Sequence, residues 1–122
     1  KTNPFPAVHP RKMFANSMEL IVHFSKGTPK TWNYKSTNEM HNFIEAPICM
    51  GKERTIHRTQ KPLKVCIPYI EISSNEGDLV LDPFMGSGTT AVACKMLKRN
   101  FIGFEINPHY CEIANERLQK VQ

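Results

Sequence analysis

The clearest chemical signal in the sequence lies in a loop that follows a short apolar run. Leu79-Val80-Leu81 leads into Asp82-Pro83-Phe84-Met85-Gly86-Ser87-Gly88-Thr89-Thr90-Ala91. Gly86, Gly88 and Ala91 have the Gly-x-Gly-x-x-Gly/Ala spacing, in which glycines permit a sharp turn and let a ligand approach the backbone. The free amides at the start of the following helix would face that ligand. The pattern therefore favours a ligand-binding loop over a plain turn between a strand and a helix.

An acidic residue at a matching distance strengthens this interpretation. Glu105 lies nineteen residues after Gly86, at the end of the next apolar run. A carboxylate there can accept hydrogen bonds from the hydroxyls of a ribose. A nucleoside triphosphate is not expected, because Ser87-Gly88-Thr89-Thr90 lacks the lysine of a phosphate-binding loop. The glycine spacing and the acid would also suit a dinucleotide such as NAD, so an oxidoreductase fragment stays an alternative.

The elements that must position these residues alternate between helix and strand. Thr59 is a candidate cap, Pro62 suits a first helical turn, and a helix should run to about Ser73 with a kink or a late start caused by Pro68. The pattern then predicts a strand at 79–81, a helix at 91–97, a strand at 101–105 and a last helix from Asn107-Pro108. Strands that alternate with helices in this way imply a parallel sheet.

The first half of the chain differs in charge and pattern. Residues 18–24 are β-prone and predict a strand, whereas residues 27–56 show no periodicity. The net charge of +5 is uneven, since residues 1–64 carry eleven Lys and Arg against four acids and residues 65–122 carry five against seven. A polyanion such as double-stranded DNA would lie on the basic half, unless these lysines are only a solvated surface. The candidate DNA-binding residues are Lys30, Lys35, Lys52 and Arg54.

Other features restrict the class of protein. The four cysteines are widely spaced with no Cys-x-x-Cys pair, so we expect reduced core residues and neither a zinc site nor a disulfide framework. No apolar run reaches the roughly 18 residues of a membrane span, which predicts a cytoplasmic protein with no membrane partner. The chain opens on lysine, and we expect a fragment of a longer protein.

Four blocks of the sequence also stand out together. They are His57-Arg58-Thr59-Gln60-Lys61-Pro62-Leu63, Ser74-Asn75-Glu76-Gly77-Asp78, Asp82-Pro83-Phe84-Met85-Gly86-Ser87-Gly88-Thr89-Thr90, and Phe101-Ile102-Gly103-Phe104-Glu105. In this order they resemble the C-terminal half of the bacterial DNA adenine-N6/cytosine-N4 amino-methyltransferases, in the subgroup whose catalytic block comes first and whose cofactor block comes last. More weakly, the opening Lys1-Thr2-Asn3-Pro4-Phe5-Pro6 and the later Glu19-Leu20-Ile21-Val22-His23-Phe24-Ser25-Lys26 resemble the family's segment just before the recognition region. Arg58 stands where the family usually has proline, and Pro68 interrupts a helix.

The resemblance implies an α/β, Rossmann-like fold typical of S-adenosylmethionine-dependent methyltransferases, with flanking helices on the C-terminal half of a mostly parallel sheet. It divides the chain into a strand or hairpin segment at 1–26, an irregular target-recognition insert at 27–56 and a cofactor-binding part at 57–122. Glu105 would hold the ribose of the cofactor, and Thr59 and Lys61 would lie near its carboxylate. The full expected set for S-adenosylmethionine is His57, Thr59, Lys61, Asp82, Phe84, Gly86, Ser87, Gly88, Thr89, Thr90 and Glu105. For His57, a structural hydrogen-bonding role is an equal alternative.

The function that the resemblance implies is site-specific methylation of the exocyclic amine of adenine (N6) or cytosine (N4) in DNA by a bacterial or phage-encoded enzyme. The family's catalytic tetrapeptide, Asp/Asn/Ser-Pro-Pro-Tyr/Phe, is absent, because Asp82-Pro83-Phe84 lacks the second proline and runs into the glycine loop. We therefore assign no catalytic residue and no metal, and expect the isolated chain to be inactive. A non-catalytic DNA-binding or partner subunit is the alternative.

Two predicted strands are also too few for a sheet that is covered on both faces. We expect a complementary N-terminal methyltransferase segment, from the same or a separate chain, to complete the sheet. Without it, Val80, Leu81, Ile102 and Phe104 would present apolar surface to water.

Overall fold

The computed structural model of the chain describes residues 17–121. In chain order its elements are a short 3-10 helix at Gly51–Glu53, helix α1 at Leu63–Ser73, strand β1 at Leu79–Asp82, helix α2 at Thr89–Met96, strand β2 at Asn100–Gly103 and helix α3 at Pro108–Gln119. The predicted alternation of helix and strand after residue 57 is confirmed, and apart from the start of α1 the boundaries differ by at most two residues. The opening Lys1-Thr2-Asn3-Pro4-Phe5-Pro6 and the rest of residues 1–16 lie outside the described part.

The two strands form a parallel pair. Leu79 lies opposite Asn100, and the register continues to Asp82 opposite Gly103. Because parallel neighbours cannot be joined by a tight turn, the chain crosses from one strand to the next through α2. The carboxyl ends of both strands therefore meet at one edge of the sheet, where the glycine loop and Glu105 follow them.

Among residues 17–121, helices cover one face of this sheet and leave the other face open. On the covered face, Val80 and Phe101 pack against the buried cluster of Ile70, Ala93 and Cys94. On the other face, Leu79, Leu81, Ile102 and Phe104 are 62%, 60%, 45% and 60% exposed. The predicted apolar surface is thus confirmed for three of its four residues. Val80 was placed on the wrong face, because side chains alternate along a strand and its neighbours Leu79 and Leu81 take the open side.

Helix α1 begins differently from the prediction. Its cap position is Pro62, which has no capping side chain, and the Thr59 cap is wrong. The amide of Leu63 instead donates to Glu53 Oε1 at 2.6 Å. A carboxylate at this position satisfies a free amide and interacts favourably with the helix dipole. Pro68 lies inside the helix, which continues through it to Ser73.

Residues 17–50 contain neither helix nor strand. The strand predicted at 18–24 is wrong for this structure, since no neighbouring strand lies beside it among residues 17–121 and Leu20 and Phe24 are 93% and 87% exposed. A β-prone run needs a sheet edge to pair with, and propensity alone does not supply one.

The prediction of core cysteines is confirmed for two of the four, and Cys66 and Cys111 are half-buried. All four are free, and Cys49 and Cys94 are buried. Burial raises the pKa of the Cys66 thiol to about 11, so the thiol stays protonated near neutral pH. Within residues 17–121 no cluster of metal-ligating side chains occurs, and no helix in that range is long and apolar enough to cross a membrane.

Candidate functional site

Backbone hydrogen bonds hold the glycine loop against the end of β2. The amide of Met85 donates to the carbonyl of Phe104 at 2.8 Å, and the amide of Phe104 donates to the carbonyl of Asp82 at 3.0 Å. Within the loop, the amide of Phe84 donates to Asp82 Oδ1 at 3.0 Å. The loop therefore has a defined path, set largely by residues within or next to it.

The two glycines of the loop have different reasons to be glycine. Both have positive φ, +54° at Gly86 and +76° at Gly88, which side chains with a Cβ rarely adopt. A Cβ on Gly86 would lie 2.7 Å from His57 Cε1, whereas a Cβ on Gly88 would lie 2.8 Å from the Cβ of Ala114 in α3. Gly86 thus permits the close approach of a site residue, and Gly88 permits close packing of α3.

Glu105 joins the loop to the segment after β2. Its Oε2 accepts from the amide of Gly86 at 2.9 Å, and its Oε1 accepts from the amide of Asn107 at 2.8 Å. The hydrogen bond from the amide of Asn107 is the main reason why the pKa of the Glu105 carboxyl is below its usual value, and the bond from the amide of Gly86 acts in the same direction. Each carboxylate oxygen has a second lone pair, so the ionised group can accept further hydrogen bonds from hydroxyl groups of a ligand.

His57 connects two hydroxyl side chains. Its Nδ1 lies 3.1 Å from Ser87 Oγ, and its Nε2 lies 3.1 Å from Thr59 Oγ1. The imidazole also packs against the ring of Tyr110 at a centroid distance of 4.4 Å. Burial lowers the pKa of His57, which favours the neutral ring. A neutral imidazole can donate to one hydroxyl and accept from the other, so both contacts are satisfied.

Side-chain contacts also hold the start of α2. Thr89 Oγ1 donates to the carbonyl of Lys61 at 3.0 Å. Arg117 of α3 donates through Nη1 to the carbonyl of Ser87 at 2.6 Å and to Thr89 Oγ1 at 3.1 Å. The ammonium group of Lys61 forms a salt bridge with the carboxylate of Glu19. These bonds join the segment around Lys61 and helix α3 to the same loop.

A cavity of about 350 Å³ opens between the glycine loop, Glu105 and the 57–61 segment. Ten of the eleven residues predicted for the cofactor line it: His57, Thr59, Lys61, Asp82, Phe84, Gly86, Ser87, Thr89, Thr90 and Glu105. Gly88 does not line it, because it faces Ala114. Gln60, Cys66 and Met85 line the cavity and were not predicted.

Sequence reasoning also missed the residues that support the site from outside. Arg117 lies twelve residues beyond the acid and has no spacing signal of its own. Gln60 is buried, accepts from the amide of Thr55 at 2.8 Å and donates to the carbonyl of Glu53 at 2.6 Å. Gln60 lies between Thr59 and Lys61 in one of the four blocks, and this position was the one sign in the sequence that it belongs to the site. Its role in holding residues 53–60 together is visible only in the fold.

The four candidate DNA-binding residues do not form one cluster. All four are exposed. Lys35 pairs with Glu71 at 2.8 Å near the end of α1, and Lys52 and Arg54 flank Glu53, which caps the start of the same helix. These ends lie about 15 Å apart, given 1.5 Å per helical residue. Three of the four residues therefore lie near one or the other end of α1.

Comparison with known proteins gives consistent matches. A family model described as DNA methylase, that of the N6/N4 methyltransferases, matches residues 1–116. The type II methyltransferase M.HinfI of Haemophilus influenzae is 35% identical over 137 residues, covering 100% of this chain and 38% of that protein. The type II methyltransferase M.HpaI of Haemophilus parainfluenzae is 42% identical over 118 residues, covering 90% of this chain and 35% of that protein. The chain thus spans less than half the length of these curated relatives.

Solved structures agree with the fold. The structure of M1.HpyAVI in complex with S-adenosylmethionine matches with a TM-score of 0.63 and 46% identity, over 72% of this chain and 43% of that chain. The cytosine-N4-specific PvuII DNA methyltransferase matches with a TM-score of 0.61 at 23% identity, over 66% of this chain and 32% of that chain, and this similarity concerns the fold alone. The α/β architecture is therefore that of the Rossmann-like methyltransferases, and with a family model that matches 1–116 the chain belongs to the DNA methylase family of N6/N4 methyltransferases.

Proposed function

We propose that this chain is the cofactor-binding and target-recognition part of a methyltransferase that transfers a methyl group from S-adenosylmethionine to the exocyclic amine of adenine (N6) or cytosine (N4) in DNA. One observation carries the proposal: the cavity at the glycine loop gathers ten residues that the family resemblance assigns to the cofactor. The bound S-adenosylmethionine in the related M1.HpyAVI structure supports the same ligand. The enzyme would act in the cytoplasm of a bacterial cell.

The residues of the cavity fit the groups of this cofactor. Glu105 has lone pairs left for the ribose hydroxyls after it has accepted the two backbone amides. Gly86 leaves backbone surface open, because it has no Cβ beside the cavity. Lys61 supplies an ammonium group for a carboxylate. Asp82 and Glu105 add negative charge on the walls, which favours a ligand with a positively charged sulfur.

When bound, S-adenosylmethionine supplies a methyl group on a sulfonium, and the described residues bind and orient it. Transfer would form a nitrogen–carbon bond as the carbon–sulfur bond breaks, with the electron pair of that bond left on sulfur and one proton of the amine released to water. The acceptor amine needs hydrogen-bond acceptors that direct its lone pair towards the methyl group. In the resembled family the Pro-Pro tetrapeptide provides them beside a base flipped out of the duplex, and this chain has no two adjacent prolines.

A complementary N-terminal methyltransferase segment is therefore the second partner that we propose. The bare sheet face, with Leu79 and Leu81 about 60% exposed, is the kind of surface that further strands and helices cover in a complete sheet. We expect no transfer of tritiated methyl groups to unmodified duplex DNA by the chain alone. Transfer is expected when a segment that carries the tetrapeptide is co-expressed. Turnover by the chain alone would contradict the need for a partner, and binding without turnover in both samples would favour a non-catalytic subunit.

Calorimetric titration tests the cofactor assignment directly. The chain should bind S-adenosylmethionine and its demethylated product but not NAD. Glu105→Gln should weaken this binding roughly tenfold or more, because it removes a charged acceptor. Glu116→Gln is the matched control, since Glu116 is exposed on α3 and lies outside the cavity. Equal affinity in the Glu105 variant and the control would show that the site is placed wrongly.

The target-recognition role concerns residues 27–56, and double-stranded DNA is the proposed ligand. Neutralising Lys30, Lys35, Lys52 and Arg54 together should weaken DNA binding by the complete enzyme. The binding constant should also depend less on salt: the slope of its logarithm against the logarithm of the salt concentration should fall by up to about one unit for each phosphate that is no longer neutralised. Lys30 and Lys35 lie near the end of α1, where Lys30 lines a cavity with Ser73 and Ser74, whereas Lys52 and Arg54 lie near its start. The pairs Lys30/Lys35 and Lys52/Arg54 should therefore be changed separately as well. An unchanged salt slope in all three variants would place the DNA elsewhere.

A further inference from the structure

An ion pair lies at the edge of the candidate cavity. Lys61 lines the cavity, and its ammonium group contacts the carboxylate of Glu19. The two side chains are 52% and 44% exposed, so solvent and ligands can reach both. The backbone of Lys61 is held in place, because its carbonyl accepts from Thr89 Oγ1. Lys61 thus presents its ammonium group from a backbone that is held in place, and the Glu19 carboxylate lies beside that ammonium group.

The other charges around the cavity show why this pair matters. Among the described residues that line the cavity, Lys61 is the single lysine or arginine, whereas Asp82 and Glu105 are acids. A ligand carboxylate therefore has one favourable cationic position, beside Lys61. An α-amino acid carries its ammonium group on the carbon next to the carboxylate. A ligand whose carboxylate contacts Lys61 consequently brings its ammonium group close to the partner of Lys61, which is Glu19.

We propose that Glu19 and Lys61 together bind the zwitterionic amino-acid end of the cofactor, with Lys61 on its carboxylate and Glu19 on its ammonium group. This inference rests on the proposed binding of S-adenosylmethionine and adds a specificity-determining residue from outside the 57–122 segment. The four charged groups alternate in sign around a ring, so each has two neighbours of opposite charge. The bound ligand would remove part of the water around both side chains, which strengthens charge pairs relative to fully exposed ones. The pair selects adenosyl thioethers that carry a free α-amino acid.

Three ligands separate the two charges. S-Adenosylhomocysteine has both the carboxylate and the ammonium group, its decarboxylated analogue keeps only the ammonium group, and 5′-methylthioadenosine has neither. Lys61→Met should weaken binding of S-adenosylhomocysteine roughly tenfold or more and leave the other two ligands no weaker. Glu19→Gln should weaken the decarboxylated analogue roughly tenfold and leave 5′-methylthioadenosine unchanged. S-Adenosylhomocysteine should lose less in this variant, because Lys61 is then free of its acidic neighbour.

The controls are Lys64→Met and Glu116→Gln, which remove exposed charges outside the cavity and should bind all three ligands as the unaltered chain does. If Glu19→Gln binds the decarboxylated analogue as tightly as the unaltered chain, the proposal is wrong and Glu19 only competes for Lys61. An equal loss for 5′-methylthioadenosine would likewise overturn it, since the effect would then be structural. If the unaltered chain binds none of the three ligands, the proposed function itself fails and the inference falls with it.

Discussion

The two parts of the described chain are ordered in different ways. Residues 57–121 contain all three α-helices and both strands, and their backbone is paired largely within these elements and the loops beside them. Residues 17–56 contain one short 3-10 helix, and large apolar side chains such as Leu20 and Phe43 are 93% and 61% exposed. The second part thus has a core of its own, whereas the first part depends on what it attaches to.

The attachments lie at the two ends of α1. At its end, the side chain of Asn33 donates to the carbonyls of Glu71 and Ser74 at 2.8 and 2.9 Å, and the Asn33 amide donates to the carbonyl of Ile72 at 2.8 Å. At its start, Glu53 accepts from Leu63. Free amides and carbonyls at helix ends need partners, and here the irregular part supplies them. Helix α1 therefore belongs to the core of the second region and also supports the first.

The largest effect should come from the packing of the second region. Gly88→Ala should destabilise the fold by about 2–4 kcal/mol, because it combines a strained φ with overlap against the buried Ala114. Gly77→Ala is the control, since Gly77 has a φ of +84° and a Cβ placed there would have nothing within 4 Å, so only the strain of about 1–2 kcal/mol applies. Urea unfolding followed by circular dichroism measures both. Equal losses would mean that α3 can move away from the loop and that the second region is packed more loosely than these distances indicate.

A smaller and local effect should separate the two regions. Asn33→Ala should cost about 1–2 kcal/mol in the attachment of residues 27–50, because it removes a side chain that donates to the end of α1. Hydrogen exchange should rise in that segment while α2 and the strands keep their protection. Asn38→Ala, an exposed turn residue of the same segment, is the control. A matching rise of exchange in α2 would show that the regions unfold as one unit.

The same contrast explains what the sequence could predict. β1, the loop, α2, β2 and α3 follow from local periodicity, and Gly86 and Glu105 from their spacing. The predicted strand at 18–24 was wrong, because its formation depends on a sheet edge that local sequence does not reveal. Contacts such as Glu53 with Leu63 and Arg117 with Ser87 join residues that are ten and thirty positions apart, and no periodicity indicates them. Reasoning from patterns therefore identified the lining of the cavity better than its supports.

The smallest expected effect is a pH dependence that belongs to the second region. Burial lowers the pKa of His57, and the nearby positive charges of Arg54 and Arg117 act in the same direction, while Glu105 opposes them. In the unfolded chain the imidazole has a pKa of about 6.5, so at lower pH the unfolded state binds more protons than the folded state. The contribution of His57 to stability is consequently complete above that value and decreases as the pH falls below it.

The free energy of unfolding should therefore decline between pH 7 and pH 5 by at most about 1.4 kcal/mol for each pH unit from this one group. The lowered pKa of Glu105 acts in a different window, since its contribution is lost only as the pH falls below the usual carboxyl value of about 4.3. His57→Asn should keep a hydrogen bond to Ser87 and flatten the plot of unfolding free energy against pH between pH 7 and 5. The control is His41→Asn, which changes an exposed histidine of the first region and should leave that plot unchanged. A slope that survives in His57→Asn would assign the proton to another group. A slope that changes in His41→Asn would mean that the first region shares in the stability of the second, which contradicts the division between them.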